Sequence, residues 1–178
     1  MRTDLSLYRT LLGARFDVLP ARVRELHDLD GLRVWKGRAT VERGRSLPCR
    51  IAAALAGLPP EGSDQALSVS FEPVGTSEIW RRQFGSTLFQ SVQYERGGFL
   101  RERVGPTTFV FTAVASAEGL ALRLDGFRVL GVPLPRFLHP VVRTLECERD
   151  GRYHFEVEAH LPVFDLLVRY AGWLEPEA

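Results

Sequence analysis

Between residues 66 and 174 the chain alternates apolar and polar side chains over short runs, each ended by glycine, proline or a charged turn. Successive side chains of an extended strand point to opposite faces, so a period of two predicts strands with one face buried and one in water. Leu67, Val69 and Phe71 alternate with Ser68, Ser70 and Glu72. Turn signals follow at Gly75-Thr76, Gly85-Ser86, Gly97-Gly98, Gly105-Pro106, Glu118-Gly119 and Asp150-Gly151, the last being the strongest hairpin dipeptide in the chain. Strands are therefore expected over 78–84, 87–96, 99–104, 107–115, 120–129, 143–149, 152–160 and 167–174. A further strand is expected over 34–42, with Gly37 inside it marking a bulge or a close approach.

About nine or ten strands follow from turn signals at this spacing. The expected fold is mainly β (α+β): one antiparallel sheet curled into a barrel or half-barrel. Full closure removes the sheet's edges and leaves room for one small ligand. Short N-terminal helices accompany it. Leu5, Tyr8, Leu11 and Leu12 share a helical face, and Pro20 suits the first turn of a second helix carrying Val23, Leu26 and His27. One more helix after the first strand, over 47–56, begins at Ser46 and stops at Gly57 and Pro59-Pro60. It carries Leu47, Ile51 and Leu55 on one face.

The length of 178 residues fits a single domain over 1–178. With 23 basic against 22 acidic residues, the overall charge gives no electrostatic case for nucleic acid or an anionic membrane. All the basic residues but Lys36 are arginine, which tolerates burial against a carboxylate better than lysine. Residues 1–12 lack the apolar core and cleavage site of a signal peptide, and no apolar run reaches the ~18 residues of a membrane span. Cys49 and Cys147 read as buried thiols, and a cytoplasmic location is expected.

Within the strands, Trp80, Arg82 and Phe84 share one face, and Leu100, Glu102 and Val104 share another. Each set places a charge between apolar neighbours. A buried ion is costly unless paired, so Arg82 and Glu102 are expected to meet inside the sheet. They form either a structural salt bridge or a polar contact at the base of a ligand pocket. Phe109, Phe111 and Tyr170 join the candidate pocket. The proline-broken segment 131–140, with Leu134 and Phe137, reads either as a loop plugging the core or as a lid over an apolar site.

Signals for chemistry are weak. Asp17 and His27 make an acid–base pair on paper, without a nucleophile motif, and His139 lies in an apolar context. His154, Glu156, Glu158 and His160 share a strand face, but the two ends stand roughly 20 Å apart by the strand rise, so the four cannot close on one metal ion. The sequence has no Gly-rich phosphate loop and no serine nucleophile elbow. No metal or cofactor is expected.

Phe16 with Leu19-Pro20 and His27, the run 37–44, Trp80-Arg81-Arg82 with Phe84-Gly85, Glu102 with Gly105-Pro106, the run 131–135, and Tyr170 with Gly172-Trp173-Leu174 occur in an order that resembles a bacterial family catalogued as domain-of-unknown-function family 4166. The resemblance implies a stand-alone protein or an appendage to saccharopine-dehydrogenase-like oxidoreductase chains, and it brings no defined catalytic set. The chain has no dinucleotide-binding segment, so an oxidoreductase role implies a separate partner. The leading expectation is non-catalytic binding of a small apolar or amphipathic molecule. An interaction or regulatory module for an oxidoreductase, and a small enzyme using His27 or Arg82 with Glu102, are the alternatives.

Overall fold

The computed structural model describes residues 6–162 and 166–177. Ten antiparallel strands form a closed barrel: β1 (Arg33–Arg43), β2 (Gly62–Val74), β3 (Ser77–Phe84), β4 (Thr87–Arg96), β5 (Phe99–Val104), β6 (Thr107–Ser116), β7 (Gly119–Val129), β9 (Val141–Arg149), β10 (Arg152–His160) and β11 (Leu166–Pro176). Each pairs with its neighbours in sequence, and β1 pairs with β11 to close the ring. Every expected strand is present, and the turn signals mark the hairpins. The segment read as an irregular connection instead forms a two-residue strand, β8 (Val132–Pro133), folded back on β7, followed by a 3-10 turn over Arg136–Leu138.

The two seams of the barrel differ. Along β1 and β11 the register runs unbroken from Trp35↔Pro176 to Arg43↔Val168. A β-carbon added at Gly37 would stand 1.8 Å from the Trp173 carbonyl oxygen, and one at Gly172 would stand 2.1 Å from that of Arg38. Gly37 is thus a site of close approach, while the bulge lies beyond it, between Ala39 and Val41. Between β7 and β9, by contrast, Leu120↔Glu146 is the single paired position among the described residues. Beyond it the Leu122 amide donates to Thr144 Oγ1 at 2.8 Å. Nearer the end of β7, the Leu134 amide donates to the Phe127 carbonyl at 3.0 Å, so the β8 hairpin occupies hydrogen-bonding positions that β9 leaves unused.

One end of the barrel is filled by α1 (Leu7–Leu12), a 3-10 turn over Gly13–Val18 and α2 (Ala21–His27). Tyr8, Phe16, Val23, Leu26 and His27 are fully buried there. The first amides of a helix lack partners within it. Carboxylates from the strands supply them: Glu78 on β3 accepts from the Leu7 amide, and Glu148 on β9 accepts from the Arg22 amide at 2.9 Å. Arg9 grips both oxygens of Asp28 at 2.7 Å, tying α1 to the end of α2.

The third helix, α3 (Leu47–Leu55), lies at the other end. Ser46 stands at its N-cap, although its hydroxyl makes no capping bond. The helix buries Cys49 and Ala53 and turns Leu47, Ile51 and Leu55 outward, where each is more than half exposed. The leucine stripe is therefore a surface. Cys147, on β9, is buried as well. No helix among the described residues is long and apolar enough to cross a membrane.

The close approach at Gly37 generates a prediction. Gly37→Ala sets a methyl against backbone that has no room to retreat, and should lower the unfolding free energy by about 3 kcal/mol or more. Gly31→Ala meets open space at an ordinary backbone angle and should change it by less than about 0.5 kcal/mol. Urea unfolding of both variants gives the comparison.

Candidate functional site: an apolar cavity with a charged floor

The alternating face of β3 points into the barrel and brings Glu78, Trp80, Arg82 and Phe84 inside together. Arg82 is 9% exposed. Its guanidinium donates to Ser91 Oγ on β4 at 2.9 Å and reaches Glu102 Oε1 on β5 at 3.5 Å. It also lies over the rings of Trp80 and Phe89, 5.0 and 5.4 Å from their centroids. The expected meeting of Arg82 and Glu102 inside the sheet is thus what the backbone period produces. Glu102 also accepts from Gln93 Nε2 at 3.2 Å, and Gln93 Oε1 accepts from the Tyr8 hydroxyl at 2.8 Å. Through Gln93 the strands' polar groups connect to the helical plug.

The plug contributes the second half of the floor. The Tyr8 ring packs 3.8 Å from that of His27, centroid to centroid. His27 is fully buried, and its Nε2 stands 2.5 Å from Glu146 Oε2. Tyr153 hydrogen-bonds the same carboxylate. Asp17 is not the acid partner of His27; it is exposed and sits beside Arg9 at 3.4 Å. Burial holds the Tyr8 and Tyr153 hydroxyls well above their ordinary pKa, and raises Tyr170 to about 12, so all three stay neutral. Glu78, 1% exposed, is also raised by burial, against the pull of the Trp80 indole N–H, His27 and the Leu7 amide.

Above this floor lies a cavity of about 200 Å³. Trp80, Arg82, Glu102, Phe109, Phe111 and Tyr170 all line it. Phe84 faces an adjoining void of about 50 Å³, which Trp80, Arg82, Glu146 and Tyr170 also border. Leu134 and Phe137 reach neither; from the same segment it is Leu138 and Pro140 that touch the cavity. The cavity passes under Ala52 of α3 and Ala56 just past its end, and comes to the surface beside the half-exposed Leu138. His27 is not on its wall; Glu146 stands between them.

Several lining residues escaped the sequence reading. Phe89 and Gln93 line the cavity from the face of β4 that also carries Ser91, the acceptor of Arg82, a placement that the pairing Trp80↔Ser91 makes plain once the register is known. Thr144 and Glu146 on β9 carried the opposite signal, because polar residues alternating with Leu145 and Cys147 look like a solvated face. In the fold Thr144 and Glu146 turn inward and Leu145 is exposed. On β10 the polar face does point outward, with Glu158 bonding His160 at 2.7 Å and Glu156 bonding Arg169 at 2.7 Å. Among the described residues no group of three or more His, Cys, Asp or Glu side chains is placed to hold a metal ion.

Two predictions come from the buried charges. Arg82→Met strands the Glu102 carboxylate and should cost about 3 kcal/mol, whereas Arg82→Met with Glu102→Gln should cost less than that single change. Paired urea titrations measure the difference. A carboxyl whose pKa is higher folded than unfolded stabilises the fold fully below the unfolded pKa. That contribution falls as pH rises towards the folded pKa. Glu78→Gln removes this loss, so its melting temperature should rise relative to the parent as pH increases above about 4.5.

A family model described as "Domain of unknown function (DUF4166)" matches residues 19–174. No curated protein and no solved structure matches the chain.

Proposed function

The chain belongs to that family, and we propose that this member binds a small amphipathic molecule, non-catalytically, inside its barrel. The observation that carries the reading is the division of the cavity into apolar walls and one charged end. Phe109, Phe111, Leu122, Phe127 and Val157 supply the walls, and Arg82, Gln93, Glu102 and Glu146 supply the floor.

Size and charge narrow the ligand. An apolar cavity of about 150 Å³ takes up a benzene molecule, and drug-sized pockets begin near 300 Å³. A cavity of about 200 Å³ suits one ring or a short branched chain with a single polar group. At the floor two carboxylates face one guanidinium. A ligand carboxylate there competes with Glu102 for Arg82 and meets Glu146 as a like charge, which is unfavourable in a low-dielectric site. A hydroxyl, amide N–H or ammonium group finds acceptors instead. The bound molecule is accordingly apolar with a hydrogen-bond-donating head.

Isothermal titration calorimetry with benzyl alcohol and with benzoate tests this. Benzyl alcohol should bind with a negative heat-capacity change, and benzoate should bind at least about ten-fold more weakly. Val157→Trp fills the cavity and should abolish the heat while leaving a cooperative thermal transition. Equal binding of the two probes, or heats unchanged by Val157→Trp, would sink the proposal.

A further inference from the structure

The surface around the cavity's opening is unlike the rest of the molecule. Leu47, Ile51 and Leu55 project from the outer face of α3 and are 67%, 52% and 73% exposed. The Leu55 carbonyl lies 3.8 Å from where a β-carbon at Gly105 would stand, placing that end of α3 against the β5–β6 turn. The same turn accepts the Leu130 amide at the Pro106 carbonyl, 2.8 Å away, and Leu130 is 81% exposed. Leu138 then continues the rim to the cavity itself. Exposed apolar side chains thus follow one another around the mouth, and contiguous patches of this kind mark contact surfaces.

Charge says what the contact is with. Beside the start of α3 a shallow cleft of about 450 Å³ is lined by Arg43, Arg45 and Arg50, with Glu61 as the one acid among the described residues. None of these arginines takes part in an ion pair among the described residues, whereas Arg9, Arg22, Arg33, Arg81 and Arg169 each meet a carboxylate. Arg136, exposed beside Leu138, adds a further cation without an ion pair among the described residues. The chain's near-zero net charge is therefore unevenly distributed. Apolar side chains flanked by arginines that meet no carboxylate among the described residues match an anionic bilayer, whose acyl boundary accepts the first and whose phosphates accept the second.

We propose that the mouth of the barrel seats on a membrane surface rich in anionic phospholipid. Ile51 and Leu55 enter the acyl boundary, and the Arg43–Arg45–Arg50 cleft takes lipid phosphate. The contact uses residues outside the cavity and goes beyond the proposed ligand binding, for which it supplies a source: an amphipathic molecule dissolved in the bilayer meets the opening directly.

Co-sedimentation with vesicles tests it, using phosphatidylcholine alone and an equimolar mixture with phosphatidylglycerol. The full chain should bind the mixed vesicles and not the neutral ones, and added sodium chloride should weaken the binding. Each arginine near an anionic surface contributes roughly five-fold. Arg45→Gln with Arg50→Gln should therefore weaken binding by about 25-fold. Ile51→Gln with Leu55→Gln should weaken it by about ten-fold or more, through lost apolar burial, with an unchanged melting temperature. Equal binding to both vesicles, or to neither, overturns the proposal. So does full competition by millimolar glycerol phosphate with no effect of the Ile51/Leu55 change, which reduces the cleft to a site for free phosphate. Self-association in solution abolished by the Ile51/Leu55 change, without vesicle binding, assigns the face to a second copy of the chain. Calorimetry with benzyl alcohol on the same variants separates the two ideas. A chain that binds vesicles but not the probe fails the cavity reading alone, and one that binds the probe but not vesicles fails this one alone.

Discussion

The barrel closes where β1 meets β11, and it closes because glycine stands at 37 and 172. Each presents bare backbone to a carbonyl of the opposite strand, leaving no volume for a side chain. Without that contact the other nine pairings describe an open curled sheet with two exposed edges, and the face that carries Arg82 and Glu102 is open to water. Closure creates the interior, and the interior sets the environment of every polar group in the site.

A ring of ten strands encloses more space than inward side chains alone fill, since about eight strands already suffice for a packed core. The N-terminal helices divide that space. They seal one end with Tyr8, Phe16 and His27 and leave the remainder as the cavity. The plug is held by polar contacts that carry direction: helix amides on Glu78 and Glu148, Tyr8 on Gln93, and His27 on Glu146. Each joins a helix to a particular strand, so the network fixes where the plug sits as well as that it sits. The cavity's charged floor is the visible side of this anchoring system, and its composition reflects two demands, holding the helices and meeting a ligand's head.

The strands were legible because period-2 alternation and turn dipeptides are local signals. Even Arg82 and Glu102 could be paired in advance, since each lies between apolar neighbours on its own strand. What escaped depends on the ring. Glu146 faces inward onto the plug's His27, Thr144 faces inward where its hydroxyl takes the Leu122 amide across the seam, and Tyr8 and His27 come from helices far away in sequence. No local pattern tells a polar residue facing water from one facing a buried histidine. The helical period of α3 was read correctly, but the period alone does not say which face the barrel takes. Alanines at 52, 53 and 56 pack closely over the cavity and core, and the leucines are left outside.

The barrel is a complete circle only in outline. Where β7 passes β9, the ladder shrinks to Leu120 with Glu146 and a threonine hydroxyl, and the far end of β7 turns to its own hairpin. In mechanical terms the wall is a strip fastened firmly along one margin and latched at a point along the other. Glu146 is that latch, and the same residue holds His27 and borders the cavity. Opening the wall, loosening the plug and disturbing the floor therefore meet at one residue, whose backbone pairs across the seam and whose carboxylate holds His27 beside the cavity.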